Sequence, residues 1–182
     1  MVYLFLGDGF EEIEALTQVD YLRRAGIDIK TLGIDGEYIT GARGITVKSD
    51  MPVKNADIDN ADMLILPGGL GGVECISNSK EAISLIKQAY KKDIFIAAIC
   101  AAPTILANLG MLEGKNCVCY PSMLDELAKK GGVVSKNSTV VKDGKIITAM
   151  AAGSSEEFSF ELIKCLKDDD SAQKVRQSIC AR

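Results

Sequence analysis

Short apolar runs alternate with amphipathic segments of helix length along most of the 182-residue chain. Val2 to Leu6 is the first run, and Glu11 to Ala25 follows as a predicted helix whose inward stripe is Ala15, Leu16, Val19 and Leu22. Gly26 ends that helix, because a glycine just past the last turn takes the left-handed conformation without a Cβ penalty. Ile27 to Ile34 reads as the second strand. Glu37 to Asp50, with Gly41 and Gly44, reads as a small excursion of one or two short strands. Met63 to Leu66 is a central strand that runs into the glycine loop Pro67–Gly72. Lys80 to Lys91 is a helix with Ile83, Leu85, Ile86 and Tyr90 near its buried side. The run Ile94–Ile99 stops at Cys100, and Ala101-Ala102-Pro103 opens a helix at once. Cys117 to Cys119 is a short strand and Met123 to Lys130 is helical. Val140 to Ile147 is a hairpin turning at Asp143-Gly144, and helices over Ser155–Leu166 and Ser171–Ile179 close the chain.

Strand and helix in alternation predict an α/β fold: a mostly parallel sheet with helices on both faces. No linker, low-complexity stretch or internal repeat interrupts the pattern, so residues 1–182 read as one domain. Ligands of such sheets sit beyond the carboxyl ends of the strands. Those ends are Gly7–Phe10, Pro67–Gly72, Cys100–Pro103 and Met150–Ser154. Topology alone therefore puts Cys100 in the expected site.

Composition narrows the chemistry. A net charge of -4 and a pI near 5.0, with lysines scattered, argue against nucleic acid or an anionic membrane as partner. The apolar run at the N-terminus is too short to span a bilayer and has no basic leader, which predicts a cytoplasmic protein. Six cysteines are spread without a Cys-x-x-Cys pair, and the chain contains no histidine. A zinc site is a poor fit to that inventory, and a Cys-His dyad is excluded outright. The glycines of Gly68–Gly72 match neither the dinucleotide nor the Walker spacing, so no cofactor is expected.

A buried strand that stops at a cysteine and turns directly into a helix forms a nucleophile elbow, with peptide N–H groups near the sulfur that favour the thiolate. Without imidazole, the group that tunes Cys100 has to be another acid. A buried carboxylic acid donates to a thiolate, and desolvation raises its own pKa. Glu11, Glu12 and Glu14 are the candidates. Glu14 lies beside Gln18 and Tyr21 on the flank of the apolar stripe, while Glu11 and Glu12 suit the positive end of the helix dipole. The amides of Gly69 and Ala101 are placed to cradle a developing oxyanion. Cys75 reads as rim or filling, Cys165 as core and Cys180 as an exposed tail thiol.

Three segments taken together, Ala97-Ala98-Ile99-Cys100-Ala101-Ala102-Pro103, Leu66-Pro67-Gly68-Gly69 and Gly9-Phe10-Glu11-Glu12-Ile13-Glu14, resemble the ThiJ/PfpI superfamily, in the branch of the parkinsonism-associated protein DJ-1. Val19–Gly26 and Val141–Gly144 extend the resemblance over nearly the whole chain. It implies a flavodoxin-like sandwich, a homodimer, Cys100 as the reactive cysteine and Glu14 as its protonated partner. It also implies Gly69 and Ala101 as oxyanion donors, and Asp20, Arg24 and Arg43 at or near the dimer contact. Where some members carry a histidine this chain has Tyr120, which would bind substrate at the mouth of the site. The activity implied is cofactor-free conversion of methylglyoxal or glyoxal to a hydroxy acid, or removal of early glycation adducts from protein. The alternative implied is an oxidation sensor or holdase chaperone using the same cysteine.

Overall fold

The computed structural model describes residues 1–181. Eleven strands are formed among them: β1 (Val2–Leu6), β2 (Ile29–Gly33), β3 (Tyr38–Thr40), β4 (Thr46–Lys48), β5 (Met51–Pro52), β6 (Met63–Leu66), β7 (Phe95–Ile99), β8 (Asn116–Cys117), β9 (Val133–Val134), β10 (Val140–Asp143) and β11 (Ile146–Ala149). The helices are α1 (Glu12–Arg24), α2 (Leu70–Asn78), α3 (Lys80–Lys91), α4 (Pro103–Asn108), α5 (Leu124–Lys129), α6 (Ser155–Leu166) and α7 (Asp169–Ser178). Seven strands make the main sheet in the order β10-β11-β7-β6-β1-β2-β5. All its pairings are parallel except the β10–β11 hairpin, whose turn needs the positive φ of Gly144.

The inner strands are apolar at nearly every position because both faces are covered. Phe5, Leu64, Leu66, Ile96 and Ala98 face one layer, which holds Ile76 of α2, Leu85 and Ile86 of α3 and Leu106 of α4. Leu4, Leu6, Met63, Ile65, Ala97 and Ile99 face the other, which holds Leu22 of α1, Phe158 and Leu162 of α6 and Val175 of α7. Each fully buried aliphatic side chain contributes roughly 1.5–3 kcal/mol of transfer free energy. This is the mostly parallel sheet with helices on both faces that the alternation predicts, and the flavodoxin-like sandwich that the resemblance implies.

Several local expectations need correction. The segment after Pro67 is not loop throughout: Gly71 and Gly72 lie inside α2. Helix propensity argues against a Gly-Gly start, but a Cβ at Gly72 would lie 2.8 Å from Phe10 Cα, so close packing on the first loop demands glycine there. Strand β5 was not foreseen. Cys119 lies beyond β8, which pairs with β9 outside the main sheet. On α3 the buried places go to Ala82, Leu85, Ile86 and Ala89, leaving Tyr90 exposed. On α1 the buried residues are Glu12, Glu14, Ala15, Gln18 and Leu22, while Leu16 and Val19 are half-buried. Three polar residues thus occupy buried positions, and each has a hydrogen-bond partner there.

Candidate active site

At the carboxyl end of β7 the chain reverses through Cys100, a non-glycine residue in the left-handed region at φ 64°. That conformation costs an L-residue roughly 1–2 kcal/mol. The surroundings hold it in place: the Cys100 N–H donates to Ala149 O at 3.0 Å, and its carbonyl accepts from the Tyr120 N–H at 2.9 Å. The elbow expected from sequence is present, with Pro103 at the start of α4.

Glu14, in the first turn of α1, is 1% exposed and lies within hydrogen-bond reach of the Cys100 sulfur. Its Oε2 accepts from the Gly68 N–H at 3.0 Å, and the Ala152 amide faces the same carboxyl. Gly68 has no side chain to spare: a Cβ there would sit 2.4 Å from Glu14 Oε2 and 2.6 Å from Cys100 Cβ. Gly69 takes φ 85°, with its amide and that of Ala101 facing the sulfur.

These contacts settle which glutamate belongs to the pair. Glu12 is also buried, but its Oε1 accepts from the Arg43 and Ile45 N–H groups at 2.7 and 3.4 Å. Burial pushes its pKa up, yet backbone amides and the Arg43 charge outweigh that and hold it below the ordinary value. Glu12 therefore stays ionised and ties α1 to the β3–β4 turn. Glu11 lines the cavity and raises the pKa of Glu14 by its charge.

The titration of the pair differs from the sequence expectation of an ionised thiol tuned by a neutral acid. Burial, then the charge of Glu14, push the Cys100 thiol up to about 12, against the pull of the Ala101 and Gly69 amides. Burial also pushes Glu14 up to about 7. Two adjacent negative charges are strongly disfavoured in a desolvated site, so the two values belong to the pair. The first proton leaves near neutrality and the second only in strong alkali. The single charge is shared between sulfur and carboxyl, each facing two backbone amides, and the thiolate form is the one with Glu14 protonated.

Above the pair opens a cavity of about 590 Å³, walled by Gly69, Ala101, Tyr120, Met123 and Ala152, with Glu11, Arg43 and Leu70 also lining it. All four predicted strand ends contribute to it. Tyr120 is half-exposed, its ring at the mouth. Arg43 lines this cavity, whereas Asp20 and Arg24 pair with each other at 2.6 Å on the outer surface of α1. Leu70, Met123 and Ala152 escaped the sequence analysis as individual wall residues. Leu70 was hidden by the missed start of α2, and only the segment containing Ala152 was legible as a strand end. Cys165 is half-buried rather than core, and Cys180 is exposed. No helix among the described residues is long and apolar enough to cross a membrane.

A model of the DJ-1/PfpI family matches residues 1–165. The chain is 35% identical to Protein dj-1beta of Drosophila melanogaster over 97% of its own length and 94% of that protein's. It is 32% identical to Protein DJ-1 homolog B of Arabidopsis thaliana, of which it spans 41%. The crystal structure of Drosophila DJ-1beta superposes with a TM-score of 0.95 at 34% identity, covering 100% of this chain and 97% of that one. A structure described as Toxoplasma gondii DJ-1, oxidized, gives 0.92 at 30% identity, covering 98% and 97%.

Proposed function

The chain belongs to the DJ-1/PfpI family, and from that premise we propose that it is a cysteine-dependent, cofactor-free enzyme acting on 2-oxoaldehydes or the early adducts they form on protein. One observation carries the reading: the Cys100 sulfur and the Glu14 carboxyl meet at the base of an open cavity with the Gly69 and Ala101 amides beside the sulfur. In the thiolate form of the pair, sulfur adds to the aldehyde carbon and the carbonyl oxygen becomes an oxyanion. The two amides stabilise that charge. Glu14, having passed its proton to the oxyanion, then removes the hydrogen from the former aldehyde carbon, giving an enediol. It returns that proton to the neighbouring carbon. The first carbon is thereby oxidised to a thioester and the second reduced to an alcohol, so no external oxidant or reductant is consumed. Water cleaves the thioester to the 2-hydroxy acid and restores the thiol.

A group with a pKa near 7 suits this two-way proton traffic. The test is methylglyoxal consumption by the wild type against Cys100→Ser and Glu14→Gln. Equal rates in the three proteins would remove the proposal.

A second reading, an oxidation sensor on the same sulfur, is favoured by the similar Toxoplasma protein being described as oxidized. Mass spectrometry after mild peroxide decides it. Sulfinic acid confined to Cys100 supports the sensor, and oxidation spread evenly over the six cysteines sinks it. We also propose self-association through the outer face of α1. Ile13 and Ile45 are 54% and 52% exposed beside the turn that carries Arg43, an arrangement that favours covering by a second copy. Sedimentation at the 19.5 kDa monomer mass would overturn it.

A further inference from the structure

Gln18 is the most fully buried polar side chain of α1, at 0% exposure, and it lies one helical turn after Glu14. Its Oε1 accepts from Ser159 Oγ at 2.6 Å and its Nε2 donates to Ser155 O at 3.3 Å. Ser159 Oγ also approaches Ser155 O, at 2.8 Å. Gln18 therefore grips the first turn of α6 from both ends of its amide. That turn is continuous with the 3-10 segment Ala152–Ser154, whose first residue presents the amide that faces Glu14. Buried amide hydrogen bonds of this kind cost heavily when one partner is lost, because the remaining group stays desolvated.

Resting on the pairing of Cys100 with Glu14 proposed above, we infer that Gln18 is a positioning residue. Through its two bonds to α6, it holds the Ala152 amide against the Glu14 carboxyl and so decides on which of the two atoms, sulfur or carboxylate oxygen, the shared charge rests. The other groups around the pair are already committed. The Gly68 amide bonds Glu14 from the β6 loop, the Gly69 and Ala101 amides face the sulfur, and Glu11 repels charge on Glu14. Arg43 and Tyr120 line the cavity above. Of these contacts, the one from the 151–154 segment is the one set by α6. Ser155 Oγ, buried without a partner, leaves a hydroxyl in the joint that is free to re-pair when Gln18 is changed.

The experiment is the pH dependence of Cys100 alkylation by iodoacetamide in the wild type and in Gln18→Met, which keeps the length of the side chain and removes both hydrogen bonds. Withdrawing the Ala152 amide makes charge on Glu14 less favourable, so more of it moves to sulfur. Both rates rise, but the first ionisation of the pair moves up by as much as half a pKa unit, so the ratio of the alkylation rate near pH 7 to that near pH 10 falls by up to about twofold. Simple loosening of the packing would instead raise both alkylation rates by one factor and leave their ratio unchanged. An unchanged or raised ratio overturns the inference. Ser159→Ala, which deletes a single hydroxyl, is the second variant; it shifts the ratio in the same direction by less, and no shift there overturns the inference even where Gln18→Met does not fold. A wild type that is alkylated but never consumes methylglyoxal sinks the enzymatic reading and leaves the ratio test intact.

Discussion

Cys100 and Cys119 lie close together, joined through Tyr120, whose N–H bonds the Cys100 carbonyl and whose carbonyl lies 3.4 Å from the Cys119 sulfur. Burial pushes both thiols up to about 12. By that measure they are twins. In every other respect they part. Cys119 is fully enclosed and its nearest charged influences, Cys117 and Glu126, only oppose ionisation. Cys100 stands on a left-handed elbow beneath an open cavity, beside a carboxyl able to take or return a proton, with two amides aimed at its sulfur. A raised thiol pKa is thus no mark of inertness by itself. What separates a nucleophile from a core thiol is whether a neighbouring acid lets the first proton leave at neutral pH.

The sharpest break between the two is catalytic. Cys100→Ser lowers methylglyoxal consumption by about a thousandfold or more, whereas Cys119→Ala leaves it within about twofold, both read from initial rates. Loss of activity in the Cys119 variant, with its fold intact, would erase the distinction. Next in size is Glu14→Gln. Turnover falls about a hundredfold, as expected for removal of a positioned proton carrier, and alkylation of Cys100 at neutral pH slows toward that of Cys119.

Stability against pH offers a third separation. The Glu14 carboxyl titrates near 7 in the fold against 4.5 for an unperturbed group. Between those values the folded state holds a proton that the unfolded state has released, so stability is greatest below 4.5 and declines as pH rises to 7. Denaturant titrations should show the wild type losing about 3 kcal/mol relative to Glu14→Gln between pH 4 and 8. Parallel profiles would show that the buried acid is not perturbed. The smallest effect is on Cys119 itself: its replacement by Ala removes one buried sulfur and costs about 1 kcal/mol in chemical unfolding, with no pH dependence near neutrality.

The same contrast explains what the sequence revealed. The regular framework was legible: Val2–Leu6, Lys80–Lys91 and Ser155–Leu166 have the bounds their apolar periods predict, and the four strand ends do converge on one cavity. Cys100 was legible because strand, cysteine and small residues followed one another directly. Glu14 was harder, since three glutamates share one turn, and only the contacts of Glu12 with the Arg43 and Ile45 amides separate a tie from an acid. The failures fall where polar residues take core places. The period of α1 marked Leu16 and Val19 as inward, but α6 offers the hydroxyl and carbonyl that make Gln18 worth burying there. Partners 137 and 141 residues away leave no local trace. The start of α2 was hidden for a related reason, because glycines that read as loop were required by a neighbour's backbone.

The absence of a Cβ at position 68 carries one further implication, for anyone wishing to redirect this scaffold. With the Cys100 Cβ and the Glu14 carboxyl oxygen both within 3 Å of where that atom would stand, the floor of the pocket admits no added bulk from below. New selectivity has to be engineered at the rim, at Leu70, Tyr120 and Met123, where side chains vary in size without disturbing the paired groups beneath.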